Sequence, residues 1–394
     1  MRKSVPRRRR VRLVLLGLFV LVGVGVGATA VANAVPAAPS PGVVAGGFCT
    51  YAKGYFKSST QAAQRINQYF TTGGVGSEIF HVGDASGYAY TWQTTGNQVS
   101  VGTGKNTVMV DSGVAALQQA VGTSGSPGAF SQNATNPTDV GTGGALAAQA
   151  LALKINQGFS EEFVTPATGF SGLSLVNMDG VQLDHRLLTA AQVSALNGQA
   201  TLQVRDGADA ALALGVLPYG LSFSQLTDLI ELLNGSSDSC GQASTFAQAH
   251  LYQPYVTSNR FTGKRPSTVS DFASKPTYNT FSGTVTAAAN KGCAASDYTG
   301  FTPGNVALIE RGTCTFYAKV SAANNAGASA AIIFNNTQGG FCPAPPGSTR
   351  CEALVGMGAP LGTATLPIPA AFVQRSTGLL LLNGTAPVTV FVQQ

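Results

Sequence analysis

Gly304-Asn305-Val306-Ala307-Leu308-Ile309-Glu310-Arg311-Gly312-Thr313-Cys314-Thr315-Phe316-Tyr317-Ala318-Lys319-Val320-Ser321-Ala322-Ala323-Asn324-Asn325-Ala326-Gly327-Ala328-Ser329-Ala330-Ala331-Ile332-Ile333-Phe334-Asn335-Asn336 reads as strand, helix and strand. The run 306–309 is apolar and partly β-branched, which suits a buried strand. Glu310, Arg311 and Gly312 break it with a turn. Residues 319–326 are alanine-rich with Val320 and Ala323 on one face, a thin helix able to lie close to a sheet. Gly327 stands where a helix ends in the left-handed region that glycine enters cheaply. A second apolar run, 328–334, follows at once. The intervening 310–327 segment exceeds the roughly 10–12 residues a crossover between parallel strands needs, so the expected unit is a right-handed β-α-β.

The same residues resemble the protease-associated (PA) domain family. Its pattern of apolar strand, Arg-Gly-x-Cys-x-Phe, Lys-Val-x-x-Ala-x-x-Ala-Gly-Ala, aliphatic strand and Asn-Asn is met by Arg311, Gly312, Cys314, Phe316, Lys319, Val320, Ala323, Ala326, Gly327, Ala328, Asn335 and Asn336. Ile368-Pro369-Ala370-Ala371-Phe372-Val373, Gly378-Leu379-Leu380 and Val388-Thr389-Val390 resemble the family's closing strand, helix and strand. The resemblance covers residues 277–394, and it departs from the family in an insert at 341–357 that is rich in Pro and Gly and carries two cysteines. It implies an interaction or substrate-access role.

The chain has 394 residues, more than one ordinary domain of about 100–200 residues. Its hydrophobic content of 44% suffices for real cores, while charged residues, at 10%, fall far below the usual ~25%. The formal net charge of +6 comes from Arg2, Lys3, Arg7, Arg8, Arg9, Arg10 and Arg12; the remainder has 16 basic and 17 acidic residues, a net of −1. That balance excludes a nucleic-acid partner. The basic stretch, the apolar run 13–26 and Ala32-Asn33-Ala34 form the pattern of a signal peptide at 1–34. An uncleaved anchor is the other reading, since 13–32 is uncharged and about as long as a membrane is thick; in that case this segment is the only expected membrane contact. Either way the rest is expected to be exported, as a secreted or cell-surface protein.

The expected organisation is a flexible lead-in at 35–47, a mixed module at 48–253, a Pro-containing linker at 254–276 and the PA domain at 277–394. The fold class is thus α/β and α+β: a strand-then-helix N-terminal module and a C-terminal PA-type open sheet or barrel with flanking helices. Strands are expected at 78–82, 88–93, 99–101 and 107–110 between Gly-rich turns, and helices at 112–121, 144–157, 189–196 and 222–233. Gly128 to Pro137 and Leu146 to Asn156 loosely resemble an uncharacterised module of exported bacterial surface proteins, a resemblance that implies no activity.

Six cysteines in an exported chain suggest three disulfides, for which 15 connectivities exist. The expected set pairs Cys49 with Cys240, Cys293 with Cys314, and Cys342 with Cys351. Closing a loop the length of 293–314 adds about 3 kcal/mol in the chain-entropy account.

No catalytic motif emerges. The three histidines are His81, His185 and His250, with no His-Glu-x-x-His and no cluster for paired zinc ions, so neither a metal nor a cofactor is expected. Gly122-Thr123-Ser124-Gly125-Ser126-Pro127 only superficially resembles a serine-protease nucleophile loop, because His81 lies too near in sequence for a double barrel to fold between them. Asp184-His185-Arg186 adjoins acid, base and cation, but adjacent residues do not face each other, and a helix entry is the simpler reading. Asp206 and Asp209 read as helix-start or turn carboxylates. What remains is a binding surface. The turn Arg311, Gly312, Thr313, Phe316 lies at the carboxyl end of a parallel strand, where open α/β sheets place ligands; the bland reading makes Arg311 a local structural donor. The function expected from these residues is a non-enzymatic interaction protein binding peptide or protein ligands, with a peptidase accessory, a cryptic hydrolase or a structural surface protein as alternatives.

Overall fold

The computed structural model describes residues 48–71, 73–84, 86–161, 169–270, 280–336, 354, 356–358, 364–382 and 389–393. The leader at 1–34, the lead-in at 35–47 and the Cys342–Cys351 pair lie outside them. Residues Ala38–Gln394 cluster as one compact unit.

Its first part begins with helices α1 (Lys53–Ser58) and α2 (Thr60–Phe70), then strands β1 (Glu78–Gly83), β2 (Ala89–Gln93), β3 (Gln98–Thr103) and β4 (Asn106–Asp111). Helix α3 (Ser112–Val121), strand β5 (Ala134–Thr135), helix α4 (Gly144–Glu161) and strands β6 (Ser174–Leu175), β7 (Gln182–Leu183) and β8 (Arg186–Leu187) follow. Helices α5 (Ala190–Leu196), α6 (Thr201–Leu214), α7 (Phe223–Asn234) and α8 (Thr245–His250) lead to strand β9 (Leu251–Tyr252). All four strands and all four helices expected here form. Thr189 and Ser222 close capping boxes with Gln192 and Gln225, which explains where α5 and α7 start. Helices α1, α2, α6 and α8 go beyond the expected set; α2 buries Ala62, Ala63 and Ile66 on one face. Helix α4 is buried nearly all round, as a helix at the centre of a bundle must be.

The second part is a closed barrel of seven strands: β10 (Tyr255–Ser258), β11 (Phe261–Val269), β12 (Thr280–Ala287), β13 (Val306–Glu310), β14 (Ala330–Phe334), β15 (Ala370–Val373) and β16 (Thr389–Gln393). They are ordered β10-β11-β15-β14-β13-β12-β16, and β16 returns to β10. The run β12-β13-β14-β15 is parallel and the remaining pairs are antiparallel. Helix α9 (Phe316–Asn325) makes the expected crossover, starting three residues earlier than its alanine run because Thr315 caps it through Ala318 N–H. Gly327 has φ +81° and ends that helix. The linker expected at 254–276 is corrected: Tyr255–Ser258 and Phe261–Val269 are barrel strands, with Pro266 opposite Tyr255 at a position that needs no N–H donor.

Alternation sorts the barrel side chains into two layers. Ala307, Ile309, Ala331, Ile333 and Phe372 face Val320 and Ala323 of α9. Val306, Leu308, Ile332, Phe334 and Val373 face inward, where Val256 joins them and helix α10 (Arg375–Leu382) adds Leu381. The helical part meets the barrel at Phe170–Gly172, where Gly172 lies so close to Thr268 that a Cβ would sit 2.1 Å from its Cγ2. Glu161 reaches across to the backbone N–H of Gly356 at 3.4 Å. Gly172→Val therefore forces an overlap at this seat. Urea denaturation should show a loss of about 1–3 kcal/mol; unchanged stability would mean the two parts do not meet there.

Candidate functional site

Two of the expected disulfides join in the structure. Cys49–Cys240 ties the start of the helical part to the loop after α7, and Cys293–Cys314 ties the segment after β12 to the Arg-Gly-x-Cys turn. Such bonds fit an extracellular location. Among the described residues no helix is long and apolar enough to cross a membrane.

The Cys293–Cys314 bond braces a cleft of about 590 Å³ between one turn and one helix. The turn supplies Cys293, Ala294, Ala295 and Tyr298; α9 supplies Tyr317, Ala318, Ser321, Ala322, Asn325 and the adjoining Ala326. Asp297 organises the turn by accepting from the N–H groups of Cys293 (2.7 Å) and Ala294 (3.0 Å). The Ala294 N–H is the main reason its carboxyl is held below the ordinary carboxylate range. Beneath the cleft, Lys319 is fully buried; its Nζ donates to the Lys291 carbonyl and lies 3.7 Å from Cys293 Sγ. Burial lowers the Lys319 ammonium to about 8; the Lys291 charge pushes the same way, while Asp297 and Glu310 oppose.

The residues singled out in the sequence sit beside this cleft rather than in its lining. The Arg311 N–H donates to the Phe334 carbonyl, its Nη1 donates to Asn335 Oδ1 at 3.2 Å, and its guanidinium lies 5.9 Å from the Phe316 ring centre. Phe316 in turn packs edge-on against Phe372. Gly312 has φ +111°, and a Cβ there would meet Asn336 Nδ2 at 2.6 Å, so only glycine lets the turn approach Asn336. Thr313 is exposed with φ +70°. Arg311, Gly312, Phe316 and Asn335 are thus brought together at the carboxyl ends of β13 and β14, with Arg311 engaged locally.

The first part assembles no triad. Asp184 and His185 are the turn residues between β7 and β8, with φ +52° and +59°, and not a helix entry. Among the described residues no hydrogen bond joins Ser124 to either. His81 pairs with Glu78 at 2.6 Å on the surface, and His250 Nδ1 lies 2.9 Å from the Asn177 carbonyl. Asp209 is corrected from a turn carboxylate to a buried residue inside α6, where it pairs with Lys154 of α4 at 2.7 Å and accepts from Gly83 N–H at 2.9 Å. Burial lowers the Lys154 ammonium and Asp209 opposes that shift. A lysine inside Leu151-Ala152-Leu153-Lys154-Ile155 was the available signal, since a cation on a buried helix needs a counter-charge.

Residues 281–381 match the model of the PA domain. The curated relatives are aminopeptidases. A probable leucine aminopeptidase 2 of Arthroderma benhamiae is 48% identical over 52 residues, 13% of this chain and 10% of the relative. The leucine aminopeptidase 2 of Arthroderma otae is 36% identical over 92 residues, 23% and 18% of the two chains. An aminopeptidase of Pseudomonas aeruginosa is 52% identical over 44 residues, 11% and 8%. This chain therefore spans about a tenth to a fifth of the length of these relatives. Among solved structures, a zinc aminopeptidase from Bacillus subtilis aligns at 20% identity over 36% of this chain and 30% of the other, with a TM-score of 0.27. These relatives correct the expectation of a non-enzymatic interaction protein: the proteins that share sequence with the chain are peptidases. Zinc is held by clustered Cys, His and carboxylate donors. Among the described residues no group of three or more His, Cys, Asp or Glu comes together to hold a metal.

Two substitutions test this electrostatic description. Asp209→Ala leaves Lys154 buried without its partner and should cost about 3–5 kcal/mol in chemical denaturation; a loss below about 1 kcal/mol would show that the pair is not buried as described. For Lys319 the folded chain disfavours the protonated amine, so between about 8 and the ordinary 10.5 the unfolded chain binds the extra proton. Stability attributable to this group should rise with pH through that window, by at most about 1.4 kcal/mol per pH unit, its burial cost being complete below it. Thermal unfolding of the parent and Lys319→Met from pH 7 to 11 should show the difference narrowing in the variant's disfavour as pH rises; parallel profiles would refute it. The identified part of the chain is its segment 281–381, a PA domain.

Proposed function

We propose that this protein works in an exported peptidase system, either as a peptidase whose catalytic groups follow no recognised motif or as the component that hands peptide to one. In this reading the PA domain engages the peptide. One combination of observations carries the proposal: a PA domain whose Cys293–Cys314 disulfide braces an open cleft, in a chain whose curated relatives are aminopeptidases. The cleft is lined by small and polar side chains with two tyrosines, Tyr298 and Tyr317. Such a lining suits an extended backbone, which brings its own donors and acceptors and needs room close to the wall. Export accords with the two disulfides and with the leader pattern of the sequence.

The test is a mixed library of peptides with free or acetylated N-termini, incubated with the purified chain and read by mass spectrometry. Loss of N-terminal residues from free peptides alone supports an aminopeptidase. Retention of intact peptides on the immobilised chain, abolished by Ala322→Trp in the cleft, supports the peptide-handling role. If peptides are neither cleaved nor retained, the proposal falls.

A further inference from the structure

The end of the barrel at which the parallel strands finish carries two arginines that no acidic side chain among the described residues neutralises. Strands β11 and β15 are antiparallel with Ser267 opposite Val373. Arg265 precedes Ser267 by two residues and Arg375 follows Val373 by two, so this register brings both cations to the same end of the strand pair. Strand alternation puts Arg265 on the inward face with Ser267 and Phe261, and its guanidinium lies 5.5 Å from the Phe261 ring centre. Arg375 opens α10. Among the described residues neither guanidinium has an ion-pair partner, and the Nε of each is buried without a hydrogen-bond acceptor. Glu310, on the same face two strands across at the end of β13, pairs with neither.

Two partly buried cations brought to one end of a strand pair, each with a buried Nε lacking an acceptor, are relieved if an anion joins them. Further donors point to such an anion. Thr377, in the first turn of α10, is fully buried and its hydroxyl has no partner among the described residues; Ser267, beside Arg265 on β11, is fully buried and equally without one there. The first turn of an α-helix also presents backbone N–H groups and the positive end of the helix dipole. Forked guanidinium donors, hydroxyls and a helix N-terminus form a donor set matched to a planar, two-oxygen anion.

We propose that Arg265, Arg375 and the first turn of α10 form a carboxylate-recognition site at the end of the barrel, which takes the C-terminal carboxylate of a bound peptide. The choice of a peptide end rests on the peptidase-system reading; the carboxylate chemistry does not. Arg265 precedes the segment that matches the PA domain, at 281–381, so the site combines one residue from outside that segment with one from within it. It would fix the C-terminal end of a peptide and leave the N-terminal end free.

Fluorescence anisotropy of the full chain with peptides labelled on an internal lysine provides the test, comparing a free C-terminal carboxylate with its amide. The free acid should bind about tenfold or more tightly than the amide, as loss of a charged hydrogen-bonded pair implies. Arg265→Gln and Arg375→Gln should each abolish that preference without shifting thermal unfolding downward, and Arg375→Lys should retain part of it. Equal binding of acid and amide overturns the inference while leaving the peptidase-system reading intact. Absence of peptide binding, with acetate still protecting the parent against thermal unfolding and not the Gln variants, supports the carboxylate site and removes its peptide occupant. Protection by inorganic phosphate but not by acetate overturns the carboxylate assignment.

Discussion

A closed circuit of backbone hydrogen bonds through seven strands governs the rest of this structure. Closure pairs both edges of each barrel strand, so the barrel itself presents no unpaired row of N–H and C=O groups. It also fixes direction. Because β12 to β15 are parallel, their carboxyl ends gather on one rim, and each crossover must return over the barrel surface. Arg311, Asn335 and Arg375 share that rim for this reason, although 64 residues separate the first from the last. The circuit is completed by β10 and β11, which precede the segment recognisable as a PA domain, and by β16, which follows it.

Close approach is the second recurring constraint. Helix α9 can lie against the sheet because its inner positions are Val320 and Ala323, and the turn before it can meet Asn336 because residue 312 has no Cβ. Helix α10 does the same through Gly378, where a Cβ would stand 2.2 Å from Phe334. Tight packing leaves little room for charge, and the two buried lysines of the described residues each have a dedicated acceptor. Lys154 has Asp209, and Lys319 has the Lys291 carbonyl. The arginines at the barrel end depart from this pattern, which is what makes them informative.

The division of labour between the two parts follows from their polar content. In the helical part several buried amides bond one another: Asn156 bridges Tyr51 and Asn234, and Asn234 bridges back to Gln149 of α4. These closed amide networks hold the disulfide-tied ends of that part in register. The barrel has, among the described residues, buried polar atoms without an acceptor or donor at Arg265, Ser267, Arg375 and Thr377. A peptide-handling role is easier to place on the barrel for that reason.

Read alone, the chain already contained the local decisions of the β13-α9-β14 unit: the apolar runs, the Arg-Gly-x-Cys turn, the glycine ending α9 and the cysteine pair around the turn. Those depend on neighbours a few residues apart, and their signals lie in composition and period. The capping boxes of α5 and α7 are local in the same sense, each closing on a residue three positions on. Strands β10 and β11 were not, because a proline and a mixed polar run resemble a linker until partners on both sides supply hydrogen bonds. Asp209 looked like a turn residue until α4 delivered Lys154 to it from 55 positions away. The barrel-end arginines were invisible for the same cause. Arg265 and Arg375 are 110 residues apart, and only the antiparallel register of β11 with β15 makes them neighbours. Sequence carries what is encoded by adjacency, whereas charge pairing and ligand geometry depend on distances that exist only after the chain closes.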